Sequence, residues 1–221
     1  MNKILNYVLT LILIVTLTGC GTTARLQQKN REQAATIINL SNEIERLNLE
    51  LGRLAKARED LAGAKISLER KLAQEIAKGK MEVEMEERGL VVTMVDEVLF
   101  DPGKTIIKVP SRKALMKVSS VLKSRDLRQN LMFVEGHTDN VPIKYSGYKS
   151  NWELSTARAT EILHFLVDEG GVKPERLSAT GCGKYRPRDT NETEEGRARN
   201  RRVEIIISPK KLAEREIKHI K

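Results

Sequence analysis

Cysteine is almost missing from this chain: Cys20 and Cys182 are the only two in 221 residues, so no disulfide framework can carry the fold. Histidine is nearly as scarce. His137, His164 and His219 are scattered and no pair has i,i+4 spacing, so the sequence gives no metal site and implies no cofactor. Aromatic residues make up 4%, too few for an aromatic-rich core along the whole chain. A Gly-x-Ser-x-Gly elbow is absent. His137, Asp139 and Ser155 could be drawn as a hydrolytic triad, but Ser155 sits where a helix cap belongs, and Cys182 is flanked by glycines with no histidine nearby. Catalysis is therefore not expected.

Long hydrophobic runs are also absent, with one exception at the start. Ile4 to Leu17 is almost wholly apolar, about 14 residues against the ~20 needed to span a bilayer core. Lys3 precedes it and Leu17-Thr18-Gly19-Cys20 closes it, the pattern of a secretory signal. The segment resembles a bacterial lipoprotein signal. That resemblance implies removal of residues 1–19, lipidation of Cys20 and attachment to a membrane, with Gly21 favouring the outer membrane. An uncleaved anchor with an incidental cysteine is the plainer alternative. The net charge of +9 asks for an anionic partner, and a chain sent out of the cytoplasm is not expected to bind nucleic acid. With Cys20 acylated, Cys182 has no partner and reads as a small, partly buried residue.

Proline is missing before Pro102, and residues 22 to about 88 read as one long helical segment. Leu26, Leu40, Leu47, Leu54, Leu61 and Leu68 recur at one heptad position, with Ile37, Ile44, Leu51 and Leu72 at the other, which predicts a coiled coil. Asn30, Gln33, Arg58 and Lys65 interrupt the seam, so a weak homodimer or trimer, or a lone helix packed on another protein, all remain open. About 60 helical residues would reach roughly 90 Å, the dimension of an arm. The arm, residues 20–88, is nearly neutral. From Thr22 to Arg88 there are 13 basic and 12 acidic side chains, against 25 and 18 from Gly89 to Lys221.

The period changes at Gly89. Gly89-Leu90-Val91-Val92-Thr93-Met94-Val95 predicts a strand. Ser111 is a candidate cap for a helix carrying Ala114, Leu115, Val118, Val121 and Leu122. A strand over Leu131 to Glu135, a helix opening at Asn151 or Ser155 and closing near Gly170-Gly171, a short strand over Leu177 to Thr180 and a last strand over Arg202 to Ile207 complete the pattern. This β-α-β-α-β-β order over residues 89–208 predicts an α+β sandwich with helices on one sheet. The basic tail, residues 209–221, reads as a frayed helix or disorder.

Asp139 at a strand end and Arg158 in the next helix are placed to face one another across a loop, an anion and a guanidinium suited to a ligand bearing both charges. They could equally close on each other as an internal salt bridge. Asn140 and Asn151 add amides at the loop's rims, and Arg201 and Arg202 add cations before the last strand, unless these are merely solvated. His137 is expected to bond backbone at its strand end.

Four motifs, Gly136-His137-Thr138-Asp139-Asn140, Asn151-Trp152-Glu153-Leu154-Ser155-Thr156-Ala157-Arg158-Ala159, Arg176-Leu177-Ser178 and Gly196-Arg197-Ala198-Arg199-Asn200-Arg201-Arg202-Val203-Glu204, resemble the OmpA-like C-terminal domain, in order, from about Val91 to Ile207. That resemblance implies noncovalent binding of peptidoglycan without cleavage. It implies that Asp139 meets the amino group of diaminopimelate in the stem peptide and Arg158 its carboxylate. Asn151 and one of Arg201 and Arg202 assist. Cys182 departs from the pattern, since an aromatic commonly stands between these two glycines. The long loop from Val141 to Glu153 is similar to that of MotB stator proteins. Members of that subgroup carry an acid in a true membrane helix, whereas Ile4 to Leu17 contains none. The expectation is a wall-binding outer-membrane lipoprotein, with an adaptor of a larger envelope machine or a stator as alternatives.

Overall fold

The computed structural model describes residues 2–143 and 147–209, the side chains of residues 2–6 and 11–22 excepted. Cys20 falls among those excepted side chains, and the tail 210–221 lies outside the described residues. By its internal packing the chain divides between Arg53 and Leu54 into two units.

Helix α1 (Asn2–Lys71) runs unbroken because no proline interrupts it. Pairs such as Arg46 with Glu43 and Glu50, and Lys56 with Glu59 and Asp60, brace its exposed surface at i,i+3 and i,i+4 spacing. In the first unit Leu26, Ile37, Leu40, Ile44, Leu47 and Leu51 are exposed along the heptad positions.

In the second unit Leu54 is still exposed, but the later apolar positions are covered. Leu61, Ala64, Leu68 and Leu72 are buried in the core of the globular domain. The expected helix to about Arg88 stops short: α1 ends at Lys71, α2 (Ala73–Ala77) adds one turn, and Gly79 at φ 64° turns the chain into a strand, β1 (Met81–Glu86). Met81-Glu82-Val83-Glu84-Met85-Glu86 alternates with period two, so one face is apolar only if the segment is extended. The sheet therefore begins ahead of Gly89.

β1 forms a hairpin with β2 (Gly89–Val95), pairing Glu86 with Gly89 and Met81 with Met94. A short turn of helix, α3 (Asp96–Leu99), leads through a loop to α4 (Val109–Leu122). Ser111 does not cap α4. Lys108 stands at the N-cap without a side-chain bond, and the Ser111 hydroxyl donates to the Val98 carbonyl at 2.5 Å. Strand β3 (Met132–His137) follows, then α5 (Asn151–Asp168), a 3-10 turn at Pro174–Arg176, β4 (Leu177–Gly183), α6 (Glu194–Asn200) and β5 (Arg202–Ile207). The predicted α+β order holds, with β1 added at its head, the short helices α3 and α6 added in what read as loops, and the strand expected over Leu177 to Thr180 running on to Gly183.

The sheet order is β1-β2-β5-β3-β4, with β3 and β4 parallel and the other pairs antiparallel. Leu90, Val92, Met94, Val134, Val203, Ile205 and Ile207 face the end of α1, α4 and α5 in one core. The opposite face carries charge. Arg88 reaches Glu135 at 3.1 Å and Glu204 at 2.5 Å, Arg202 reaches Glu204 at 2.6 Å, and Arg188 reaches Glu82 and Glu84 at 2.8 Å each. With β5 inserted between them, β2 and β3 bring their C-terminal ends together beside its first residue, since Val95 and His137 both pair with Arg202. The residues that follow those two strands become neighbours there.

Candidate binding site

Helix α5 supplies one wall of this junction. Ser150 caps it, accepting from the Trp152 amide at 3.1 Å, so the helix opens at Asn151 and not at Ser155. Ser155 lies within the first turns, where its hydroxyl donates to the Trp152 carbonyl and accepts from the Gly183 amide. The approach of helix to sheet is close. A Cβ at Gly136 would sit 2.1 Å from the Ser155 carbonyl oxygen, and one at Gly181 would sit 2.1 Å from the Thr156 hydroxyl. Only glycine permits that contact. Asn151, Leu154 and Arg158, spaced three and four apart, then share the face of α5 that turns toward the strand ends.

These residues line a cleft of about 760 Å³ with Asp96, Phe100, Asp139 and Arg201. Asp139 and Arg158 are both in it, yet they are not each other's partner. The Asp139 carboxylate accepts from the Val141 amide at 3.0 Å and pairs with Arg201 at 2.8 Å. Arg201 also reaches Glu97 at 2.7 Å and Glu194 at 2.9 Å. Partial burial works against its charge, but these hydrogen bonds outweigh it and raise the Arg201 pKa. Asn151 staples the loop by donating to the Asp139 carbonyl at 3.3 Å and the Val141 carbonyl at 3.1 Å.

Arg158 is 4% exposed and is held from three sides. Nη1 meets Asp96 at 2.8 Å, Nε donates to the Lys104 carbonyl at 3.1 Å, and the guanidinium lies 5.2 Å from the Phe100 ring centre. Burial lowers its pKa, with Asp96 opposing. Asp96 is the site residue that sequence reasoning missed. It is 5% exposed, its Oδ1 has no hydrogen-bond partner, and burial lifts its pKa to about 6 against the pull of Arg158 and Arg201. The one available signal was an acid directly ending the apolar run of β2.

Two predicted members stand elsewhere. Arg202 turns to the charged face of the sheet, bonded to Glu204 and buried, because alternate residues of a strand point to opposite faces and it precedes Glu204 by two. Of the two arginines, Arg201 alone lines the cleft. Asn140 is exposed and outside the cleft lining, its amide donating to the Asn191 side chain at 3.3 Å. His137 does not bond backbone through its ring: both nitrogens lack a hydrogen-bond partner, with Glu135 and Glu204 at 3.6 and 3.7 Å from Nε2. Cys182 is buried, and burial raises its thiol pKa. Glu135, His137 and Cys182 hold three donor atoms within 4.8 Å, but Arg88 and Arg186 already pair with Glu135.

Fold and site together define an α+β domain that presents paired, largely buried opposite charges in a cleft at the ends of β2 and β3. Residues 99–201 match the OmpA family model, so an OmpA family domain occupies that part of the chain. It is 35% identical over 160 residues to motility protein B of Bacillus subtilis, covering 72% of this chain and 60% of that protein. It is 33% identical over 120 residues to the probable lipoprotein YiaD of Escherichia coli, covering 54% and 52%. Thus it spans little more than half the length of these curated relatives. Among solved structures, the cell wall anchor of the type VI secretion system (T6SS) from Pseudomonas aeruginosa aligns with a TM-score of 0.58 at 36% identity, over 64% of this chain and 96% of that one.

Proposed function

We propose that this chain is a lipid-anchored envelope protein that grips peptidoglycan noncovalently through the cleft of Asp139 and Arg158. The observation that carries the proposal is that cleft: an anion and a guanidinium, each 7% exposed or less, held in one cavity but bonded to other partners. A ligand carrying an ammonium group and a carboxylate matches both, as the free end of a diaminopimelate stem peptide does. The ammonium goes to Asp139, the carboxylate to Arg158, and the Asn151 amide and Arg201 hold the rim. Nothing in this arrangement supplies an activated nucleophile, so the wall is bound and not cut.

The OmpA family domain over residues 99–201 and likeness to a cell wall anchor support the wall as the target. The lipoprotein-type leader ending at Cys20, with a probable lipoprotein among the relatives, supports an acyl anchor in the outer membrane. Among the described residues no helix is long and apolar enough to cross a membrane. The heptad stripe from Leu26 to Leu51 supports pairing with a second copy, which would also raise the effective affinity for a polymer. A stator-like role is the second reading, favoured by the match to motility protein B over 72% of the chain. It predicts an uncleaved leader. Mass spectrometry of the mature chain separates the two: an acylated N-terminal Cys20 supports the anchor, and an intact Met1 sinks it. For the wall itself, the chain should pellet with purified sacculi and release no soluble muropeptides. Failure to pellet removes the proposal.

A further inference from the structure

Arg158 offers five N–H donors, and a ligand carboxylate needs two that lie side by side. In this structure one donor goes to the Lys104 carbonyl, and Nη1 forms an ion pair with Asp96 at 2.8 Å. Asp96 uses only Oδ2 in that contact, while Oδ1 is buried without any hydrogen-bond partner. A buried carboxylate half-satisfied in this way is a poor structural partner. It stands at the mouth of β2, in the same cleft as Asp139 and Arg201, where an incoming carboxylate must approach.

We propose that Asp96 is an internal counter-ion holding the place of the ligand carboxylate on Arg158, and that its charge sets the affinity of the cleft. The proposal rests on the wall-binding reading and adds a specificity residue to it. Two carboxylates beside one guanidinium repel, so the ligand binds the form in which Asp96 is protonated or turned away. The charged groups facing Asp96 are Arg158 from α5, Arg201 ahead of β5, Asp139 after β3 and its own neighbour Glu97, with Lys108 also lining the cleft. The two arginines favour the Asp96 anion, and the two acids and burial oppose it. Its pKa of about 6 puts the change of charge in the range an envelope compartment meets. At pH 7.5 a group with that pKa is about 3% protonated, which limits the affinity gain on acidification to about thirtyfold.

The test uses the full-length chain in detergent and a muropeptide with unamidated diaminopimelate at its free end, titrated at pH 5.0, 6.0 and 7.5. The unmutated protein should tighten toward pH 5, by up to about thirtyfold. Asp96→Asn should bind at pH 7.5 as the unmutated protein binds at pH 5, with a flat profile. A flat profile in the unmutated protein overturns the proposal without any variant, and so does weaker binding by folded Asp96→Asn. Binding that Asp139→Asn abolishes and Asp96→Asn leaves unchanged overturns this proposal alone. Absence of binding by the unmutated protein at every pH defeats the wall-binding reading and this inference with it.

Discussion

Replacing Asp96 by asparagine should stabilise the protein at neutral pH, although it deletes an ion pair. The Asp96 pKa rises from 3.8 to about 6 on folding, so the folded state holds this proton more tightly than the unfolded chain. An acid raised in this way adds stability below its unfolded pKa, and that stability is lost as pH climbs from about 4 to about 6. At 1.36 kcal/mol per pH unit, the ionised form costs about 3 kcal/mol at pH 7, even with Arg158 at 2.8 Å. Desolvation of two charges exceeds their attraction at this depth. Asparagine keeps an oxygen for Arg158 and cannot ionise. The expected gain is up to about 3 kcal/mol at pH 7.5, or roughly 6–10 °C in Tm for a domain of this size. Thermal melts of both proteins by circular dichroism at pH 4, 5, 6 and 7.5 measure it. The curves should converge at pH 4, separate between pH 4 and 6 and keep a constant gap above that. A lower Tm for Asp96→Asn at pH 7.5 would refute the reasoning, because it would make the pair net stabilising.

Other perturbations separate structural roles from binding ones. Arg202→Ala removes one of the two arginines on buried Glu204, leaving Arg88, and should cost about 1–3 kcal/mol in urea unfolding, while the folded fraction still pellets with sacculi. Gly136→Ala drives a methyl against the Ser155 carbonyl and should destabilise by about 2–3 kcal/mol or more, read by the same denaturation. Leu68→Ala should cost about 2–5 kcal/mol, since Leu68 is fully buried in the domain core. Leu40→Ala should leave domain stability unchanged and weaken self-association in analytical ultracentrifugation. If Leu68→Ala and Leu40→Ala behave alike, the division of the heptad stripe at Leu54 is wrong.

What the sequence disclosed follows from periodicity. The stripes of α4 and α5, the β-branched run of β2 and the apolar β5 each carry a clean signal, so the α+β order was legible. The β1 hairpin was not: Met81, Val83 and Met85 alternate with period two, but the proline-free run up to Gly89 reads as a continuation of the helical arm. Leu61, Leu68 and Leu72 show the same ambiguity: a heptad stripe fixes which face is apolar, and topology decides what covers it. Site members were legible where motif and strand end coincide, as for Asp139, Asn151 and Arg158. Their partners were not. Asp96, Asp139 and Arg201 meet only because β5 inserts between β2 and β3, bringing together residues 62 positions apart in the case of Asp139 and Arg201. The face of Arg202 depended on where β5 begins, and a shift of one residue reverses it.

The central claim is a clasp for a zwitterion, and ligand chemistry tests it without altering the protein. The affinity of the full chain would be measured for a diaminopimelate muropeptide, for its amino-acetylated form and for its carboxyl-amidated form. Each modification removes one charge-assisted contact worth about 1.5–3 kcal/mol, so each should weaken binding by about tenfold or more. Asp139→Asn should erase the difference made by acetylation, and folded Arg158→Lys should shrink the one made by amidation. Equal affinity for all three ligands would contradict the clasp.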